Sequence, residues 1–200
     1  MRPQMVIITK NTLSAMDLRS LLMDIAKGVD VTCYGSLEEY QRAEAEGLPH
    51  FFVSADVVFR NSEFFRGYVR RTVVITDGEA EAFVQSGFRT IDARWSEQAI
   101  AREILSIHSV GHPAGHDANH PVSGHPHATS VQTQLSQREQ EVLALMVKGY
   151  INKEIADRLN ISLATVIFHR NNISEKLQTR SIGRLTIYAV LNSIVSLSEI

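Results

Sequence analysis

A single cysteine, Cys33, stands among the 200 residues, so no internal disulfide framework can form. No apolar run approaches the roughly 20 residues that span a bilayer. The opening Met1-Arg2-Pro3-Gln4 leads into only four apolar residues before Thr9-Lys10, which is too short for a secretory leader. These features point to a reducing cytoplasm and no membrane partner. Charge of either sign is nearly balanced, at −2 overall, so bulk composition does not announce a nucleic-acid partner. The chain also lacks a Gly-rich phosphate loop, a Ser/His/Asp array and a tight acidic pair, which argues against an enzyme.

What charge there is, is unevenly placed. Residues 1–107 carry 12 Lys+Arg against 15 Asp+Glu, and residues 131–200 carry 8 against 6. The small basic excess therefore falls at the C-terminal end.

Between these halves lies the tract His108–Ser130, with six His, three Gly, three Pro and Val110 and Val122 as its only large apolar residues. Such a stretch buries too little apolar surface to offset the entropy of ordering it. It is expected to be a flexible linker, over 108–132, between domains at 1–107 and 133–200. His108, His112, His116 and His120 recur every four residues, a spacing that would hold Zn²⁺, Cu²⁺, Ni²⁺ or haem on one helical face. Pro113 and Pro121 argue against that helix. The tract is read as a solvated tether, and no cofactor or metal site is assigned.

In the first half, strand-like and helix-like stretches alternate. Val6–Ile8, Val31–Tyr34, Phe51–Val53, Val73–Ile75 and Phe88–Ile91 read as five strand cores. Helical spacing marks Leu13–Ala26, a short helix capped by Ser36 with Glu39 at its third position, Glu79–Gln85 and Ser96–Ile107. This alternation implies an α/β domain with a five-stranded parallel sheet. Cys33, in a strand, is read as a small core residue.

The second half reads as four helices. Ser136 caps the first, with Glu139 completing a capping box, and Gly149 ends it. Asn152 is expected to cap the second, which runs to Leu159. Asn160-Ile161 makes a tight turn, and Ser162 caps a third helix reaching about Leu177. A fourth follows from Ser181. Two short helices joined by a tight turn form a helix-turn-helix, whose second helix enters the major groove. Along that helix Val166, Ile173 and Leu177 share an inward stripe. Ile167, Phe168, Asn171 and Glu175 fall opposite. Apolar side chains there suit thymine methyls and Asn171 suits adenine, while Lys153, Arg170 and Lys176 suit phosphates. Packing of Ile167 and Phe168 on the N-terminal domain is the alternative.

The string L-S-x-R-E-x-E-V-L-x-L followed by G-x-x-N-K-E-I-A-x-x-L-x-I-S-x-x-T-V-x-x-H-R-x-N-I-x-x-K-L, over about residues 135–190, resembles the LuxR-type helix-turn-helix domain. The resemblance implies a DNA-binding transcription regulator acting as a homodimer with RNA polymerase. It implies base reading by Thr165, Val166, Ile167, Phe168 and Asn171. Phosphate contacts would come from Lys153, His169, Arg170 and Lys176. The family often has Lys or Arg where Ile167 stands. Leu185, Thr186 and Val190 fall on the helix that commonly makes the family's dimer contact. A sigma-factor reading would require a basic, aromatic, all-helical region upstream, and the upstream half is acidic and alternating.

LuxR-type domains often follow a phosphoacceptor receiver, and residues 5–107 resemble one. That chemistry needs acids after strand one, an Asp ending strand three, a Thr or Ser after strand four and a Lys after strand five. Here Thr9-Lys10-Asn11 follows strand one and Ser54-Ala55 follows strand three, with Asp56 late. Thr76 is in place, but Arg94 is the nearest cation to strand five. The expectation is a receiver-like domain with no phosphoacceptor, Asp56 included.

Overall fold

The computed structural model describes residues 4–26, 28–43, 47–109 and 134–200. The metal or haem reading of the linker falls almost wholly on residues 110–133, outside the described residues.

Five strands form one parallel sheet: β1 (Gln4–Ile8), β2 (Asp30–Tyr34), β3 (His50–Ser54), β4 (Thr72–Thr76) and β5 (Arg89–Asp92). Their spatial order is β2-β1-β3-β4-β5. Parallel neighbours require crossovers, supplied by α1 (Thr12–Ile25), α2 (Leu37–Arg42), α3 (Ala55–Arg60), α4 (Ser62–Arg66) and α5 (Glu81–Gln85). A final helix, α6 (Glu97–Ser109), follows β5. The α3–α4 pair, absent from the sequence expectation, fills the stretch after β3. Its run of Val57, Val58, Phe59, Phe64 and Phe65 shows no single helical stripe long enough to stand out.

The two faces of the sheet follow the strand period of two. Val6, Ile8, Phe51, Val53 and Val74 point to one side and pack with Leu37, Val57, Phe65 and Phe83. Met5, Ile7, Phe52, Val73 and Ile91 point to the other, against Leu22 of α1 and Ile104 of α6. On the first side Phe51 is ringed edge-on by Tyr40, Phe64, Phe65 and Tyr68, with centroids 5.3–6.0 Å away. Edge-on contacts of this kind add to the apolar burial on this face.

Cys33 corrects its sequence reading. It lies on the edge strand β2, where one flank has no neighbour, and it is exposed. Partial desolvation pushes its thiol pKa up, against the opposing charge of Arg19. That places it among the less reactive thiols.

The C-terminal part is all helical: α7 (Gln137–Val147), α8 (Asn152–Leu159), α9 (Leu163–Lys176) and α10 (Ile182–Leu191). Val142, Leu143, Ile155, Val166, Ile173, Leu177 and Ala189 form its core. No described helix is long and apolar enough to cross a membrane.

The helical core and the sheet domain meet. α10 packs on α7 on one side and on α3, α4 and α5 on the other. Leu191 belongs to the aromatic cluster of the sheet domain, and Ala82 of α5 belongs to the helical core. Gln85 Nε2 donates to the Leu177 carbonyl at 3.0 Å, and Asn192 Nδ2 donates to Ser86 Oγ at 2.9 Å. Arg184 lies 3.7 Å from Glu79 and 3.9 Å from Glu81. This docking has a consequence for Leu185 and Val190. Both are buried within the chain, so in this arrangement they present no surface to a second copy.

Candidate nucleic-acid interface

The geometry of the helical unit is set first by its caps. Ser136 Oγ accepts from the Glu139 N–H, and Glu139 Oε2 accepts from the Ser136 N–H at 2.7 Å, which satisfies two end groups of α7 reciprocally. The same carboxylate takes Lys176 Nζ at 2.6 Å, joining the start of α7 to the end of α9. Burial works to raise the Glu139 pKa. Hydrogen bonds from Lys176 and Ser136, with the Lys176 charge, outweigh it and hold the carboxyl below its ordinary value.

The turn between α8 and α9 rests on Asn160, which adopts the left-handed conformation (φ 51°). Asn tolerates this region better than most side chains. The turn lets the Ile161 N–H reach the Ala156 carbonyl at 3.0 Å. Arg138 Nη2 donates to the Leu159 carbonyl at 2.7 Å, fastening the end of α8 to α7.

Ser162 caps α9 as expected, its Oγ accepting from the Thr165 N–H at 3.0 Å. Asn152 does not cap α8. It is the first helical residue, after Ile151, and its Oδ1 accepts from Arg170 Nη1 at 2.6 Å. The cap is instead half of a box, with Glu154 Oε2 accepting from the Ile151 N–H.

On α9 the inward stripe is as the spacing indicated: Val166, Ile173 and Leu177 are buried. Val166 therefore leaves the base-reading set. With 0% of its surface exposed, its methyls serve the core and cannot reach a base edge. Thr165 is half-buried, and its hydroxyl shares a 2.8 Å hydrogen bond with Ser162. Ile167 and Phe168 are 44% and 59% exposed and Asn171 is exposed as well, so the packing alternative for the two apolar residues does not hold in this structure. Leu163 extends their stripe at i−4 from Ile167 and is 49% exposed. Its helical spacing could have identified it from sequence.

The proposed phosphate contacts divide by environment. Lys153 is exposed on α8. Arg170 and Lys176 are already engaged, with Asn152 and Glu139 respectively. His169 lies beside the Phe168 ring, and its Nδ1 is buried without a hydrogen-bond partner. That position suits buttressing of the helix better than a phosphate contact.

In the sheet domain, the loop residues at the C-terminal strand ends occupy the expected places. Thr76 is buried and its hydroxyl donates weakly to the Ile91 carbonyl at 3.4 Å. Asp56 sits in the first turn of α3, not at the end of β3, and its carboxylate accepts from Ser54 Oγ at 2.7 Å. Arg94 forms a close pair with Asp92 (2.7 Å) and lies 3.8 Å from Asp77. Among the described residues no three His, Cys, Asp or Glu side chains come together in a way that could hold a metal ion.

Residues 133–189 match the family model for bacterial regulatory proteins of the luxR family. Over 56 residues the chain is 48% identical to the oxygen regulatory protein NreC of Staphylococcus carnosus, which is 28% of this chain and 26% of that protein. Over 51 residues it is 52% identical to the response regulator protein TodT of Pseudomonas putida, 26% of this chain and 22% of that one. The chain thus spans about a quarter of these relatives' length.

The whole fold is similar to that of the two-component response regulator RcsB. One RcsB–DNA complex aligns with a TM-score of 0.65 over 96% of this chain and 99% of that one, at 14% identity. RcsB of Salmonella enterica serovar Typhimurium, solved on the rprA promoter, aligns with a TM-score of 0.61 over 97% and 100%, at 15% identity. The fold is therefore similar to that of RcsB: a five-stranded parallel sheet joined to a helical unit whose residues 133–189 match the luxR family model.

Proposed function

We propose that the chain is a sequence-specific, DNA-binding transcription regulator of the LuxR type, working in the cytoplasm as a homodimer together with RNA polymerase. The observation that carries this reading is the exposed Ile167–Phe168–Asn171 surface on α9, on a helix whose opposite side is locked into the core. With Leu163 one turn earlier, Ile167 and Phe168 make a contiguous exposed apolar stripe on one helix, the kind of patch that marks an interaction surface. Against a major groove they meet thymine methyls, and Asn171 pairs with adenine. Ile167, where the family often carries a cation, shifts recognition from charge towards methyl contact. Lys153 supplies a phosphate contact, with Arg170 and Lys176 reaching phosphates by exchanging their present partners. The domains are taken as 1–107 and 133–200, with the His-rich linker between them. The similarity to RcsB, solved as dimers bound to DNA, supports the homodimer and the DNA partner.

A mobility-shift series tests this. Binding should weaken steeply with salt, and Lys153→Ala should lower the salt slope by about 1. Asn171→Ala should reduce discrimination between sites more than non-specific affinity. Equal loss of both refutes the base-reading role.

The receiver-like domain is further proposed not to use aspartyl phosphorylation. Lys10 and Asn11 stand where a Mg²⁺ site needs carboxylates, and Asp56 is displaced into a helix and bonded to Ser54. Incubation with acetyl phosphate and Mg²⁺ should leave Asp56 unmodified. Stoichiometric, acid-labile labelling there overturns this part.

A further inference from the structure

In open α/β sheets, ligands bind at the carboxyl ends of the strands, where the strand order reverses. Here the chain steps from β1 out to β2, then returns past β1 to β3, so the reversal lies between β1 and β3. A cleft of about 890 Å³ opens there, between the loops after β1 and β3 and the helices α1 and α6. Its size falls within the ~300–1,000 Å³ of small-molecule sites.

The walls have two characters. The apolar lining is offered by the half-buried Leu18, Leu21, Ile75 and Ile100, with the buried Ile7, Phe52 and Ile91 behind them. Trp95, the chain's one tryptophan, lines the cleft and is 44% exposed. Its lining carries five acids, Asp17, Asp24, Asp56, Asp77 and Glu97, against the one cation Lys10. Arg94 is committed mainly to Asp92, at 2.7 Å against 3.8 Å for Asp77.

These carboxylates do not converge as metal ligands do. An excess of separated negative charges beside apolar side chains instead favours a cation whose charge is carried on an organic body. We infer that this cleft is a binding site for an amphiphilic organic amine, its apolar part on the apolar lining and its ammonium at the acids. The site adjoins the docking surface: Asp56 lies in the first turn of α3, and Phe59, about one turn on, packs against the helical core. Occupancy would therefore bear directly on how the helix-turn-helix unit is held.

This inference rests on the proposal that the domain's input is not an aspartyl phosphate. Its test is separate from both the acetyl phosphate and DNA assays. The full chain is titrated with 4-phenylbutylamine, 4-phenylbutanol and 4-phenylbutyrate, following Trp95 emission and binding heat. The amine should shift the emission to the blue and bind about tenfold tighter than the alcohol, with the carboxylate weakest. The Asp17→Asn/Asp24→Asn pair, at exposed α1 positions, should reduce the preference for the amine several-fold while retaining alcohol binding. Leu21→Trp should narrow the cleft and reduce binding of all three. Equal affinity for amine and alcohol, a preference for the carboxylate, or no binding by any compound at millimolar concentration overturns the inference. So does amine selectivity unchanged in the Asp17/Asp24 variant.

Discussion

Replacing Glu139 separates two contributions of one carboxylate. It is nearly buried, with 5% of its side chain exposed, and it both completes the α7 capping box and neutralises Lys176 at 2.6 Å. Losing a helix cap costs about 1 kcal/mol. Breaking a fully buried ion pair costs about 3–5 kcal/mol. Lys176 is 37% exposed, however, so water solvates the orphaned ammonium and a further loss of about 1 kcal/mol is the better figure. Glu139→Ala should therefore destabilise by about 2 kcal/mol, lowering Tm by roughly 4–8 °C in a chain of this size. Glu139→Gln keeps an acceptor for the Ser136 N–H and should lose about half as much.

The pH dependence carries the sign. The folded-state pKa of Glu139 lies below the unfolded value, so its stabilisation is full above the unfolded pKa and is lost as pH falls through the folded one. The stability gap between wild type and Glu139→Gln should close on acidification. Thermal unfolding at several pH values measures all of this. An Ala variant within 0.5 °C of wild type, or a Gln variant as damaging as Ala, refutes the reasoning.

Three other perturbations have defined outcomes. Phe168→Ala, at an exposed position, should change stability by less than about 0.5 kcal/mol while weakening DNA binding in a mobility shift, and a large drop in Tm would show a packing role instead. Leu191→Asp places a charge in the aromatic cluster that α10 enters, so scattering should report a larger radius of gyration with far-UV helicity retained; an unchanged radius refutes the docking role of that side chain. Hydrogen bonds from Lys148 and Ser196 hold the Glu199 carboxyl at about 2, below its unfolded value, so the C-terminal tail should stay tethered until pH falls from about 4.5 towards that value. An NMR titration of Glu199 at its ordinary value, or one unaltered by Lys148→Ala, contradicts this.

The sequence by itself determined the elements and their class. Five apolar strand cores and the spacing of Val166, Ile173 and Leu177 are local patterns, because side-chain direction follows a period of two or 3.6 whatever lies elsewhere in the chain. The Ser136, Ser162 and Glu139 caps were legible for the same reason: their partners lie three residues away. The α3–α4 pair escaped because its aromatic side chains serve a cluster around Phe51 that also draws on α2, so they do not repeat along one helical stripe. Cys33 was misread because an apolar strand does not disclose whether it is an edge. Only the tertiary structure showed that Arg170 and Lys176 are already partnered, that Leu185 and Val190 are spent inside the chain, and that five scattered acids line one cleft. Each depends on contacts between segments apart in sequence: the packing of α9 on α7 and α8 for the two cations, the packing of α10 for Leu185 and Val190, and the sheet order for the acids that line the cleft.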